Sequence, residues 1–195
     1  MSRCPAQVRP AVEADAASLV QVWSGLTRRT ASAEDALLEA RNCILRTLDS
    51  GSERILVAVH LGSVIGAAHL QVGQLSPLTP ETVLRISHMT VATEMRRRGV
   101  GRALMEAALA YAEERGAASV MAASASNSRD ANRFMARLGL AQIACVRLAS
   151  TQSLRAKMPV EVPALLRGGT PTSSRQLGQV LAARRSMRRQ QQSVS

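Results

Sequence analysis

One stretch constrains the fold more than any other. Thr82 to Ala92 (TVLRISHMTVA) is a long strand candidate, rich in β-branched and apolar residues. Glu94 to Gly101 is a basic, glycine-containing loop, and Val100 to Arg115 is strongly helical, with Val100, Leu104, Ala107, Ala108 and Tyr111 apolar and Gly116 placed to end it. A strand that feeds a helix through so short a loop forces that helix back onto a sheet, which demands a layered α and β architecture. The loop also has a chemistry of its own. The first N–H groups of a helix lack internal partners, and the helix dipole places partial positive charge there. Gly99 and Gly101 let the backbone approach an anion without a Cβ in the way, and Arg96, Arg97 and Arg98 add charge. The segment reads as a phosphate site. It is not a P-loop, because GxxxxGK[ST] is absent, and not a Rossmann fingerprint, because GxGxxG is absent.

The rest of the chain supplies the other elements. Gln7 to Ala11 is a short first strand, and from Asp15 a helix carries Leu19, Val22, Trp23 and Leu26 on one face. Ser32 followed by Asp35 resembles a capping box with Asp in place of Glu, opening a helix whose stripe is Leu37, Leu38, Arg41, Ile44, Leu45 and Leu48. Arg41 is the polar exception on it. Arg54 to His60, the turn Leu61-Gly62-Ser63, and Val64 to Leu75 form a hairpin, and Pro77 and Pro80 mark a loop. Ser119 to Ala125 is strand-like, Ser128 to Leu138 is a helix ended by Gly139, and Leu140 to Leu148 reads as a last strand. The predicted order is β-α-α-β-β-β-α-β-α-β: an α+β layer fold with a central mixed, mostly antiparallel sheet flanked by helices.

At 195 residues the chain suits one domain with an extension, here residues 1–150 and a basic tail, 151–195. The tail opens with a linker punctuated by Pro159, Pro163, Gly168, Gly169 and Pro171, and Gln176 to Gln190 then reads as a basic helix with Leu177, Val180 and Leu181 on one side. The net charge of +11 is unevenly spread: residues 152–195 carry eight basic side chains against Glu161 alone. Three readings of the tail stand side by side. It is a solvated extension, or it docks on a second subunit through its leucines and makes a homodimer, or its arginines grip nucleic acid or an acidic partner. The only aromatics are Trp23, Tyr111 and Phe134, too few for a base-stacking module. Cys4, Cys43 and Cys145 lack metal-ligand spacing and are expected to be free buried thiols in a reducing cytosol. No apolar leader and no membrane-length apolar run is visible, so the expected location is cytoplasmic.

Arg96-x-x-Gly99-x-Gly101 matches the Q/R-x-x-G-x-G/A signature of the GNAT (GCN5-related N-acetyltransferase) superfamily. HMTVATEM resembles that family's L-x-V-x-P-E strand end, with Val91 and Glu94 in register and Thr93 where Pro is common. Ala131 to Leu140 (ANRFMARLGL) resembles its A-x-x-F-Y-x-x-L-G-F helix, and Gly66 after Val64-Ile65 resembles its usual third strand. The resemblance covers residues 6–150 in order. It implies acetyl-CoA as co-substrate, no metal, and an amine acceptor. The pyrophosphate would lie on Arg96, Arg97, Arg98, Gly99, Val100, Gly101 and Arg102, and the pantetheine arm against Met89, Thr90 and Val91 at a bulge, with a backbone N–H there polarising the acetyl carbonyl. Asn127 or Ser128 would bond the pantetheine or a water, or Ser128 would simply cap the helix.

Two positions depart from the pattern. The family's acid, a tyrosine after the Phe of the second motif, is here Met135, which has no proton to donate. No acidic base stands on the strand before the loop. His88 is the side chain there with a suitable pKa and is the candidate base, although simple alternation sets it on the face opposite Ser87 and Met89 unless a bulge intervenes. His60, His69 and Glu81 are weaker candidates. The expected function is therefore an N-acetyltransferase acting by direct attack on a small amine or a protein lysine or N-terminus. A non-catalytic acyl-CoA sensor or nucleic-acid-associated protein on the same fold is the alternative, and a longer acyl donor a third option.

Overall fold

The computed structural model describes residues 6–25 and 32–158. The expectations for Cys4, Leu26 and the 176–190 helix lie outside the described residues. The elements are β1 (Gln7–Pro10), α1 (Ala16–Val22), α2 (Ala33–Asp49), β2 (Glu53–His60), β3 (Ser63–Ser76), β4 (Thr79–Val91), α3 (Val100–Glu114), β5 (Ser119–Ala122), α4 (Arg129–Arg137) and α5 (Thr151–Lys157). The strands form one sheet in the order β1-β2-β3-β4-β5. All neighbours run antiparallel except β4 and β5, which α3 connects in parallel.

Both faces of the sheet are covered, as the strand residues require. On one face Leu56, Ala58, Ile65, Leu70, Leu84 and Ile86 meet Val100, Leu104, Ala108 and Tyr111 of α3. On the other, Ile55, Val57 and Ala67 meet Ala16 and Leu19 of α1 and Ile44 of α2. Adjacent residues of β2 thus serve opposite cores, which explains its continuous apolar run. Gly66 lies directly under α3. A Cβ there would sit 3.0 Å from the Thr90 carbonyl oxygen and 3.3 Å from Val100. The β2–β3 turn is two residues long, and Leu61 (φ 49°) and Gly62 (φ 79°) are both left-handed, as the strand twist demands.

Four expectations need correction. The buried side of α2 is Leu37, Ala40, Cys43, Ile44 and Thr47, while Leu38, Leu45 and Leu48 are exposed. The stripe is rotated by part of a turn, and Arg41 is no exception because it lies off the buried face. The loop expected around Pro77 and Pro80 shrinks to a two-residue connection, with Ser76 paired to Thr79. Pro80 is tolerated in β4 because β5 pairs only with Val83 to Ile86, so its missing N–H interrupts no ladder on that side. The last strand, Leu140 to Leu148, does not form. Residues 140–150 are irregular, and Ile143, Val146 and Leu148 are at least three-quarters exposed. Their spacing does not alternate strictly, and β-branched residues make a strand only where another strand pairs with them. The thiols are free, as expected, but Cys43 is only half-buried and Cys145 is exposed.

The chain divides after Ile143. In the second unit α5 follows Ser150, whose Oγ caps it by accepting the Ser153 N–H at 3.1 Å. That short helix, all of it exposed, stands where the sequence predicts the opening of a linker. No helix among the described residues is long and apolar enough to cross a membrane.

Candidate functional site

The site is built on a break in β4. Ala67 pairs with Thr90 and His69 with Ser87, so His88 and Met89 together face the single residue Ala68. This is a β-bulge, and its first residue, His88, takes φ 53°. A left-handed histidine is strained backbone, and such strain collects where geometry serves function. The bulge also resets the alternation. Met89 and Val91 pack toward α3, whereas His88 turns to the side of Ser87: its Nδ1 lies 3.1 Å from Ser87 Oγ. The bulge is the exception that simple alternation allowed for: the extra residue shifts the pleat, so His88 joins the side of Ser87 and stays opposite Met89.

Just before the bulge β4 parts from β5. Their parallel pairing stops at Ile86 and Ala122, closed by a last bond from Ala123 N–H to Ile86 O at 2.9 Å. On the other side, Ala92 N–H still donates to Ile65 O of β3 at 2.9 Å. Backbone groups alternate along a strand, so the N–H and C=O of Val91 point away from β3 to the parted edge. Consistent with that, Val91 O accepts a long bond from Arg96 Nε at 3.4 Å. Phe134 Cζ, Met89 Cε and Val91 Cγ2 converge to 3.7–3.9 Å from where a Cβ of Gly101 would stand. The end of β4, the start of α3 and α4 therefore meet around one small-residue position.

The basic loop adjoins that edge. A 3₁₀ turn, Thr93–Met95, leads into Arg96, and Arg97 (φ 61°) and Gly99 (φ 91°) are both left-handed. Gly99 caps α3 with no side-chain bond, and the first intrahelical bond runs from Ala103 N–H to Gly99 O at 3.0 Å. The N–H groups of Val100, Gly101 and Arg102 are thus the unpaired donors of the helix start. Val100 contributes only its backbone, since its side chain is buried in the core. Arg97 lies 3.8 Å from Asp130 of α4, and Arg102 pairs with Glu106 one turn along at 2.8 Å, both at the surface. Arg98 has no ion-pair partner among the described residues. This array has the chemistry that an anion needs: backbone donors at a helix start, positive charge, and no Cβ at Gly99 or Gly101.

His88 is held from several sides. Trp23 Nε1 donates to His88 O at 2.8 Å, and its ring lies 6.0 Å from the imidazole. Ser87 Oγ also sits 3.1 Å from His69 Nδ1, and His69 Nε2 faces Glu53 Oε2 at 3.7 Å. Burial pushes His69 below the ordinary imidazole value, with the Glu53 carboxylate opposing the shift. The sequence places Trp23 on the apolar face of the first helix and makes His69 a weaker base candidate on the hairpin, with nothing to join either to His88. The signal that joins them to His88 is the register of β3 on β4, which single-strand reading does not contain.

The second motif plays a structural part. Ser128 caps α4, accepting Ala131 N–H at 3.4 Å, and Asn127 is exposed in the turn before it. Asn132, not singled out from the sequence, ties that turn together: its Oδ1 accepts from Ser124 Oγ at 2.8 Å and its Nδ2 donates to Ser126 O at 3.3 Å. Met135 is buried in the core against the α3 face of the sheet. Tyr111 stands eleven residues into α3, about 16 Å along the axis from its start. Its ring is stacked by Arg54 at 4.1 Å and Arg115 at 5.2 Å. Neither residue brings an acid to the parted strands.

Comparison with known proteins agrees with this fold. The model of the acetyltransferase (GNAT) family matches residues 20–140. No curated protein matches in sequence. Among solved structures, a transcriptional regulator from Bacillus halodurans C-125 superposes with TM-score 0.66 at 18% identity, over 74% of this chain and 99% of its own. An acetyltransferase from Trypanosoma brucei gives 0.60 at 21%, over 74% and 99%. Glucosamine-6-phosphate N-acetyltransferase from Arabidopsis thaliana gives 0.61 at 15%, over 75% and 98%. At these identities the likeness is one of fold.

Proposed function

The chain belongs to the GNAT acetyltransferase family, and on that premise we propose that it transfers the acetyl group of acetyl-CoA to a primary amine by direct attack. The observation that carries this reading is the parted edge of β4, lying beside the unpaired N–H groups that open α3. Acetyl-CoA supplies an activated thioester. Arg96, Arg97, Arg98 and the N–H groups of Gly99 to Arg102 hold its pyrophosphate, and the backbone of Met89 to Val91 holds its pantetheine arm. The outward N–H of Val91 polarises the acetyl carbonyl, supplying charge stabilisation where the oxyanion grows. The imidazole of His88, reoriented by the bulge, takes the proton the amine nitrogen loses as its new C–N bond forms.

The C–S bond then breaks without a side-chain acid, because Met135 offers no proton. A thiol pKa of about 8.5 makes the thiolate a tolerable leaving group, so positioning and polarisation carry most of the rate. The acceptor class spans small amines and protein lysines or N-termini. Residues 1–150 would form the transferase domain and 151–195 a basic extension.

The deciding experiment is calorimetric titration with acetyl-CoA, together with free-thiol release on a panel of amines and peptides. Binding with amine-dependent release supports the transferase and identifies its acceptor class. Binding with no release from any amine favours a non-catalytic acyl-CoA sensor, the reading that the apolar Met135 motivates. Absence of binding overturns both.

A further inference from the structure

We propose that Ser87 and His69 form a relay that carries the acceptor's proton from His88 to Glu53. The inference rests on His88 as the base of the proposed transfer and names residues that act through it.

The geometry is continuous across three strands. Ser87 Oγ lies 3.1 Å from His88 Nδ1 and 3.1 Å from His69 Nδ1. His69 Nε2 is fully enclosed, makes no hydrogen bond, and faces Glu53 Oε2 at 3.7 Å. That distance is longer than a hydrogen bond, yet it sets the ring close enough to the carboxylate for the two to attract and close up once the imidazole is protonated. Ser87 and His69 are direct cross-strand partners on β4 and β3, and Glu53 pairs on β2 with Gln71, two residues along from His69. All three side chains lie on the α1–α2 face, and the bulge brings His88 there too. Without the extra residue His88 would point to the other face and the chain would be cut.

A serine hydroxyl between two imidazoles gives one bond and takes one. In the resting arrangement His88 Nδ1–H donates to Ser87 Oγ, and Ser87 O–H donates to His69 Nδ1. His69 then carries its proton on Nε2 toward Glu53, and His88 Nε2 is left with its lone pair free for the amine. When His88 Nε2 gains the amine's proton, its Nδ1 proton moves to Ser87 Oγ and the serine proton moves to His69 Nδ1. His88 returns to neutral, and His69 becomes an imidazolium beside the Glu53 carboxylate. No proton is created or lost. The charged groups that bear on His69 are Glu53 from β2, His88 from β4 and Arg46 from α2. Glu53 alone favours the imidazolium, while burial keeps the resting ring neutral and able to accept. The imidazolium then gives its Nε2 proton to the Glu53 carboxylate as the two close up, and Glu53, 22% exposed and lining a cavity of about 170 Å³ with Thr47, Arg54 and Arg115, releases it to solvent.

Histidine-selective 15N NMR tests the relay without substrate, and only His60, His69 and His88 need assignment. The expected result is a neutral His88 protonated on Nδ1, which S87A converts to the Nε2–H form usual in water. In parallel, S87A and H69Q should lower turnover of the reactive amine about tenfold at unchanged acetyl-CoA affinity, and S87T, which keeps the hydroxyl, should restore both tautomer and rate. A wild-type His88 protonated on Nε2, or tautomers and turnover indifferent to S87A, overturns the relay. H88A separates the two claims. If it loses turnover while S87A and H69Q do not, His88 stays the base and the relay falls. If H88A turns over like wild type, both fall.

Discussion

At the scale of single residues, chemistry and strain concentrate in a few places. Asp15 is 7% exposed and accepts from Arg9 Nη1 at 2.6 Å, from Arg9 Nη2 at 2.9 Å and from Val12 N–H at 2.8 Å. The Arg9 guanidinium holds its carboxyl below the usual aspartate range, against the opposing effect of burial. The folded state thus binds this proton less tightly than the unfolded chain does. The pair's contribution is fully present above the unfolded aspartate value of about 3.9 and is lost as pH falls through the lower folded one. D15N should be less stable than wild type at neutral pH, and the gap should close on acidification below about pH 4, as followed by urea midpoints across pH. Gly99 sits at φ 91° with open space around its Cα. G99A would meet no clash but would force a side chain into the left-handed region, at about 1–2 kcal/mol. The loop should relax, and acetyl-CoA affinity by calorimetry should fall about tenfold while the far-ultraviolet spectrum stays unchanged.

At the scale of elements, the β4–α3 unit sets the architecture and the site together. The N-terminal half of α3 packs on the sheet through Val100 and Leu104, directly over Gly66 of β3. In G66A the new Cβ would press on the Thr90 carbonyl at 3.0 Å, which is backbone and yields little. Overpacking of this kind costs about 1–3 kcal/mol. The cost should appear as a lower denaturation midpoint, and acetyl-CoA binding should weaken further because Thr90 adjoins the bulge. An unchanged midpoint would mean that α3 can ride away from the sheet. These elements were legible: apolar periodicity marked α3, and Gly99, Gly101 and Gly116 marked its neighbouring turns. The rotated face of α2 was not, since Leu38, Leu45 and Leu48 repeat as regularly as the residues that are buried. Which stripe faces inward depends on what lies beneath it.

At the scale of the molecule, one mixed sheet with helices on both faces places the start of α3 and the His88 side chain on opposite faces of the parted strand. The tail carries eight of the basic side chains. If the acyl donor is bound by the β4–α3 unit, a chain ending at Ser150 should keep acetyl-CoA affinity within about twofold by calorimetry. A tenfold loss would assign part of the binding to the extension. Gel filtration and low-salt nucleic-acid retention of both forms would distinguish subunit docking from an electrostatic partner.

The sequence by itself determined the strand-loop-helix unit, the basic, glycine-containing character of residues 96–102 and the membership in an α+β layer fold. Those are local properties: periodicity, glycine placement and charge act between near neighbours in the chain. Only the tertiary structure decided where His88 points, because its direction depends on an extra residue in β4 measured against β3. It likewise decided that Ser87, His69 and Glu53 form one line, since three strands must be brought into register before their side chains can touch. The failure of residues 140–148 to form a strand has the same cause: pairing is a property of two segments, and no propensity within one of them can supply it.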